Sequence, residues 1–460
     1  MTEPQQALYA RASARMAAGD PAAALHELGA IAPDTESIDS LYLRAAAATQ
    51  VGDLAQAKAA VHACLEHAPE HPGAQFQAGA IALAEGDRAG ALAHFAQAAA
   101  LAPGFAAAHY NLAVLQAESG EREAAEASYQ AALRADPGLM QAANNLASLL
   151  LDRQAVSEAL VLLQRTLKRS PGFAIGWCTL GRALLRAARV DEAEAALRRS
   201  VELDSRGSAA WENLGDALSQ LGRTEDADAA FEHATRASDP SSRLLFKRAA
   251  LRGETPPAPP EDFVRELFDQ MAGEFDTRLV DGLGYRLPTQ LDAYLPAGEG
   301  LDILDLGCGT GLSAPLLRPR ARRLEGVDLS PQMIERARQR GLYDALHVDS
   351  LQAFLEAGPE SAWDLMLAAD VVIYVGALGA LFAAVRRGLR PGGHLLLSVE
   401  MSPEADYLLQ PSGRYAHGFG YLQRLSGEHE LGIDLCEPIE LRRERGTMLQ
   451  GAVLRLQRPA

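Results

Sequence analysis

Hydrophobic positions in the first half of the chain recur with one long period. Ala57, Ala91, Ala125, Ala159, Ala193 and Ala227 each stand 34 residues from the next. Four positions further on come Phe95, Tyr129, Leu163, Leu197 and Phe231. A four-residue offset is one helical turn, so the small and the large residue share a helix face. The alanine marks a place where two helices approach closely. Turn-forming residues keep the same beat. Pro69, Pro103, Pro137 and Pro171 are 34 apart, as are Gly52, Gly86 and Gly120, and Gly222 rejoins that phase. The pattern predicts helix–turn–helix units repeated along the chain.

The texture changes after residue 260. Residues 301–306 (LDILDL) form a short apolar run that reads as a buried parallel strand. Gly307-Cys308-Gly309-Thr310-Gly311 follows at once, a spacing that lets backbone turn tightly and approach a ligand. A second strand, 324–327, ends in Asp328, and "HVDSL" places Asp349 at the end of a third. "WDLMLAADVVIYV" supplies a fourth and "LRPGGHLLLSVE" a turn into a fifth. Between the two textures lies GETPPAPPED, residues 253–262. Consecutive prolines favour extended backbone, so this stretch reads as a short, semi-rigid linker. A helix over 241–252 precedes it and is expected to seal the open end of the repeats.

A 34-residue period resembles the tetratricopeptide repeat. Six repeats cover 38–241, with Trp177 and Trp211 opening two successive first helices, and 4–37 reads as a degenerate seventh with Gly19-Asp20 in its turn. Gln154 and Ala188 replace the turn glycine and Ser205 replaces the proline, which puts local helix ends in question but not the array. Such arrays stack into a solenoid whose concave face binds peptides or protein termini. Asn111, Asn145 and Asn213 share one phase, which Thr179 interrupts. In related arrays, asparagines at this phase line the concave face. An amide both donates and accepts, so it can hold peptide backbone. The same asparagines could equally bond neighbouring helix ends or face water.

Composition narrows the function. The chain has 460 residues and a net charge of −17. Before residue 260 there are 23 Lys+Arg against 31 Asp+Glu, and after it 20 against 29. Neither half has the basic excess that phosphate contacts require, which argues against nucleic acid. The four cysteines, Cys64, Cys178, Cys308 and Cys436, form no CxxC pair, so no disulfide framework or zinc site is expected. No apolar core marks a signal peptide and no run of about 18 apolar residues marks a membrane span. A cytoplasmic protein is expected.

The order LDLGCGTG, VDLSPQM, HVDSL, WDLMLAAD, RPGG resembles the class I S-adenosylmethionine-dependent methyltransferases over about residues 263–458. A glycine loop after a strand would also suit a dinucleotide fold. The "HVDS" and "RPGG" segments favour the methyltransferase. The whole chain resembles bacterial methyltransferases that carry tetratricopeptide repeats, whose N-terminal helices read like residues 267–291 and whose tail reads like 413–425 and 442–458. The resemblance implies three parts: 1–252, an all-α repeat solenoid with its capping helix; 253–262, the linker; 263–460, a Rossmann-like α/β methyltransferase domain. That domain would have seven strands, six parallel and the last (448–456) inserted antiparallel.

The resemblance also assigns residues. Gly307, Cys308, Gly309 and Gly311 would wrap the methionine part of S-adenosyl-L-methionine, with Asp305 orienting the loop. Asp328 would bind the ribose hydroxyls, and Leu329 and Met333 would pack on adenine. Asp349 would accept the adenine amino group beside Ser350. Ala369 and Asp370 would lie beneath the sulfonium. Tyr285 and Phe275 fall in helices that close over the cofactor and could shield it by cation–aromatic attraction. S-adenosyl-L-homocysteine would be the product.

Methyl transfer needs alignment and, where the nucleophile carries a proton, a base; it needs no metal. Asp370, Tyr374, Glu400, Tyr415 and His417 fall near strand tips or in the covering segment, and His417 is the expected base because its ordinary pKa lies near neutrality. The fourth strand is followed by Ala369-Asp370-Val371-Val372 rather than NPPY or DPPY, which argues against amino-methylation of bases or glutamine. Three readings follow. The repeats recruit a peptide or protein for methylation; or a small molecule is O- or N-methylated and the repeats serve assembly; or the cofactor fold is vestigial on a scaffold. The intact glycine loop and Asp328 oppose the third.

Overall fold

The computed structural model describes residues 3–31, 36–237, 241–273, 275–276, 287–403, 406–444 and 447–460. The chain divides into two compact units, Met1–Arg206 and Gly207–Ala460. The first is a run of antiparallel helix pairs: α1 (Glu3–Ala17) with α2 (Pro21–Gly29), α3 (Ile38–Val51) with α4 (Leu54–His67), α5 (Pro72–Ala84) with α6 (Arg88–Leu101), α7 (Ala106–Glu118) with α8 (Arg122–Ala135), α9 (Met140–Asp152) with α10 (Val156–Arg169), and α11 (Ala174–Arg186) with α12 (Val190–Leu203). In the second unit α13 (Ser208–Gln220) and α14 (Thr224–Ala237) repeat the pairing, followed by α15 (Ser242–Arg252).

The period seen in the sequence is the packing rule of this array. The six phased alanines are fully buried, and Phe95, Tyr129, Leu163, Leu197 and Phe231 are buried one turn away. The partner helix answers with glycine where the large ring arrives. A Cβ on Gly79 would lie 2.8 Å from Phe95, and one on Gly215 would lie 2.4 Å from Phe231. The prolines have a polar role too. Gln75 donates to the Pro69 carbonyl and Trp177 to the Pro171 carbonyl, each at 2.9 Å, so the residue six positions on ties down the turn between repeats.

Gly52, Gly86, Gly120 and Gly222 all have positive φ. Gln154 (φ 65°) and Ala188 (φ 57°) keep the same left-handed turn without the glycine that relieves it. The helix ends are thus undisturbed, and the strain is local. Ala188 is exposed. Ala188→Gly should stabilise the chain by about 0.5–1 kcal/mol, the left-handed penalty less the entropy of a glycine, read as a rise in the urea midpoint at unchanged slope.

The remainder of the second unit is a doubly covered sheet. Its strands are β1 (Leu301–Leu306), β2 (Ala321–Asp328), β3 (Ala345–Val348), β4 (Trp363–Ala368), β5 (Leu389–Ser402), β6 (Tyr407–Leu409), β7 (Tyr415–Gly418), β8 (Gly432–Glu444) and β9 (Thr447–Gln457). The helices are α16 (Glu261–Met271), α17 (Leu287–Leu291), α18 (Ala314–Leu317), α19 (Pro331–Arg340), α20 (Leu351–Ala357), α21 (Gly379–Gly388) and α22 (Phe419–Glu428). The main sheet runs β3-β2-β1-β4-β5-β9-β8. β9 is antiparallel to both neighbours and the other six strands point one way. That is the seven-stranded arrangement expected. The end of β5 carries an additional parallel strand, β7, with β6 as its hairpin partner.

Alternate residues of each central strand feed opposite cores. Leu304, Met366, Leu395 and Leu454 pack on one face with Phe382 and Leu422 of α21 and α22. Ile303, Leu365, Leu396 and Val453 pack on the other with Leu291 and Leu317. Parallel strands bring their C-terminal tips to one edge, and ligands of such sheets bind there. Among the described residues no helix is long and apolar enough to cross a membrane.

Candidate functional site

Four strand tips meet at one cavity of about 850 Å³, a volume in the range of cofactor and small-molecule sites. The β1 tip contributes Asp305, Gly307, Cys308, Gly309 and Thr310; the β2 tip contributes Asp328 and Leu329; the β3 tip Asp349 and Ser350; the β4 tip Ala369 and Asp370. Tyr374, Phe275, Arg414 and Arg442 complete the wall, with Val264, Phe268 and Met271 of α16.

The loop conformation requires glycine. Gly307 has φ 65°, and a Cβ there would stand 2.6 Å from Val371. Asp328 organises the loop. One carboxylate oxygen accepts from Gly309 N and the other from Ser330 N, both at 2.9 Å. Each oxygen keeps a lone pair for a ligand hydroxyl. Burial pushes its pKa up, while these N–H groups pull it down. Asp305 lies beneath, accepting from the Tyr343 hydroxyl at 2.6 Å. Burial raises Asp305 to about 7, the Tyr343 bond opposes the rise, and the charge of Asp328 adds to it. Cys308 is buried, and its thiol is pushed well above the usual range by burial and then by the same two carboxylates. A neutral thiol packed behind a turn fits that place. Ser350 caps α20, its hydroxyl accepting from Ala353 N, and its own N–H bonds Asp349.

A covering layer closes over the loop. Asp269 of α16 accepts from the Ser330 hydroxyl, and Asp276 accepts from Thr310 and Arg340. Phe275 and Tyr374 meet Phe268 edge-on, at 6.1 and 5.0 Å.

At the far end of the cavity is a buried ionic cluster. Arg442 of β8, 2% exposed, donates to Asp370 at 2.7 Å and to Glu400 of β5. Burial raises both carboxyl pKa values, and Arg442 and Arg414 oppose it. Asp370 sits at φ 58°, with its N–H fixed on Ser398 Oγ at 2.8 Å. Tyr374 is raised by burial and bonded to Arg414.

Other expected residues fall elsewhere. His417 does not line the cavity. It is fully buried on β7, with Nε2 2.9 Å from the Val375 carbonyl and 3.1 Å from that of Gly376. Carbonyls only accept, so Nε2 carries the proton, and His417 braces a turn instead of facing a nucleophile. Its stretch is expected to cover the site, but β7 joins the sheet at the end of β5. Met333 is fully buried on α19 and Gly311 packs against Tyr343 and Arg340; neither lines the cavity. Tyr285 lies outside the described residues. Tyr343, Arg414, Arg442, Asp269 and Asp276 were missed; two of them, Arg414 and Arg442, stand in tail segments whose likeness was noted.

Burial lowers the His417 pKa. The unfolded chain therefore binds a proton that the folded chain refuses. Stability is complete above the unfolded pKa and is lost as pH falls below about 6.5, at up to ~1.4 kcal/mol per pH unit. His417→Gln, which keeps an N–H donor, should remove that part of the slope when urea unfolding is compared from pH 7.5 to 5.

In the repeats, Asn145 donates to the Tyr129 hydroxyl at 3.2 Å, and Asn213 to the Ala209 carbonyl one turn back at 2.8 Å. Asn111 is half-buried at the same phase. Thr179, the interruption, donates to Asn144 at 2.7 Å.

Residues 303–393 match the family model of a methyltransferase domain, and residues 82–150 and 178–242 match tetratricopeptide-repeat models. The chain is 34% identical over 138 residues to malonyl-[acyl-carrier protein] O-methyltransferase of Serratia marcescens, covering 29% of this chain and 51% of that protein. It is 29% identical over 178 residues to ubiquinone biosynthesis O-methyltransferase of Xanthomonas oryzae pv. oryzae, covering 37% and 70%. It is 31% identical over 151 residues to ribosomal protein L11 methyltransferase of Burkholderia vietnamiensis, covering 32% and 49%. The chain thus spans about half the length of the first and third of these relatives. Taken with the strand order and the loop geometry, these matches show a chain that joins tetratricopeptide repeats to a class I methyltransferase domain.

Proposed function

We propose that the cavity binds S-adenosyl-L-methionine and that the chain transfers its methyl group, releasing S-adenosyl-L-homocysteine. The observation that carries this is Asp328, buried at the β2 tip and bonded to the loop through both oxygens, each with acceptor capacity left over. The residues fit the cofactor. Gly307, Cys308 and Gly309 give an uncrowded cradle for its amino-acid part, Asp328 accepts from the ribose hydroxyls, and Leu329, Asp349 and Ser350 take the adenine. The cofactor supplies a methyl group already activated on a sulfonium. The protein's task is to align the acceptor and receive its proton. Asp370 takes the second role in place of His417, because it faces the cavity and its carboxyl is raised by burial. Tyr374 and the covering helix exclude water.

The repeats recruit a peptide or protein in this reading, with Asn111, Asn145 and Asn213 as candidate contacts. A second reading is a small or carrier-borne acceptor methylated on oxygen. Two of the three relatives are named O-methyltransferases, and guanidinium groups at the acceptor end favour an oxyanion over an ammonium. Calorimetric titration of S-adenosylhomocysteine into the full chain tests the core of the proposal: micromolar affinity is expected, and no binding would overturn it.

A further inference from the structure

Helix α16 has two working faces. Val264, Phe268 and Met271 line the cavity, at the i, i+4, i+7 spacing of one face. Phe263 and Glu266 point the other way, onto α15. The Phe263 ring meets Phe246 of α15 at 5.3 Å, and Arg243 of α15 pairs with Glu266 at 2.9 Å. The same Arg243 pairs with Glu212 of α13 at 3.0 Å. Ser242 adds a contact to Asp262 at 3.3 Å.

The linker is bound down as well. Tyr415 donates to the Pro256 carbonyl at 2.8 Å, Ala377 N to the Pro257 carbonyl at 2.7 Å, and Leu409 N to Thr255 Oγ1 at 3.3 Å. Ala258 and Pro259 are themselves cavity wall. Phe246, Ala250, Leu409 and Tyr415 form one buried cluster, against which Phe263 and Tyr407 pack. Residues 255–259 of the expected semi-rigid linker are therefore a docked strap.

We propose that Phe246 of the capping helix is a positioning residue of the cofactor site: it seats α16 and the strap, and so ties cofactor affinity to the docking of the last repeat. This rests on the cofactor reading above. Phe246 does not line the cavity and acts through its ring contacts with Phe263 and Tyr415. Linkage makes the effect reciprocal, so cofactor binding stiffens α15 in turn.

Leu244 provides the matched control. It lies on the same helix and is 4% exposed, as is Phe246, but it faces Phe231 and Ala234 of the last repeat. S-adenosylhomocysteine is titrated calorimetrically into full-length wild type, Phe246→Ala and Leu244→Ala. Both variants lose stability. Phe246→Ala should weaken affinity by about tenfold, and Leu244→Ala by less than about twofold. Should Phe246→Ala fail to fold, Phe246→Leu takes its place, and hydrogen exchange on the wild type must show ligand-induced protection in 243–252. Wild-type binding with Phe246→Ala unchanged would overturn the inference alone. Equal weakening by both variants would overturn it too, because loosening of the cap would then suffice. Failure of the wild type to bind would overturn both readings together.

Discussion

Asp328→Ala should lower the affinity for S-adenosylhomocysteine by at least about 100-fold, the loss expected when two hydrogen bonds to a charged acceptor go together. The variant also releases Gly309 N and Ser330 N, so the loop loses its anchor along with the ribose its acceptor. Comparison with Asp328→Asn separates the two effects. The amide oxygen can still accept from one N–H, but its NH₂ faces the other. Calorimetry on the three proteins reads the order directly: wild type tightest, Asn intermediate, Ala weakest. Equal affinity in wild type and Asp328→Ala would remove Asp328 from the ligand site.

The second large effect concerns folding. Arg442→Met should destabilise the chain by about 3–5 kcal/mol, because Asp370 and Glu400 would stay buried without the cation that pairs with both. The loss should depend on pH. Without Arg442, only Arg414 still opposes burial at the two carboxyls, and their folded pKa values rise further above the unfolded ones. Stability from such groups is present at low pH and is lost as pH rises through the folded value. The variant should thus stand closer to wild type at pH 5 than at pH 8 in urea unfolding. An equal deficit at both would show that the cluster's charges are not what Arg442 balances.

The sequence revealed features whose chemistry is local. The 34-residue period is visible because each repeat packs on its neighbours, so Ala91 and Phe95 must recur at fixed phase. The glycine loop and Asp328 are visible because a tight turn beside a strand tip permits few residue types. Arg442 stands 72 positions from Asp370, and nothing near either residue announces the pair. Tyr343, in the turn between α19 and β3, and Asp305 of β1 meet in the same way. His417 was expected at the site from its residue type and its place near a strand tip, whereas pairing of β7 with the end of β5 buries it among tyrosines. The docking of the linker was not legible in its composition: prolines forbid donors, but their carbonyls still accept, and Pro256 and Pro257 accept from Tyr415 and Ala377.

The placement of β9 sets an order of assembly on the ribosome. Among the described residues β8 pairs with β9 alone, which lies between it and β5. Arg442 rides on β8 and cannot reach Asp370 and Glu400 until residues beyond Thr447 have been made. Helix pairs of the repeats need only their neighbours and can form in turn as they emerge. The nascent chain therefore carries folded repeats while the cavity still lacks Arg442, and Asp370 and Glu400 stay without that cation until β9 arrives.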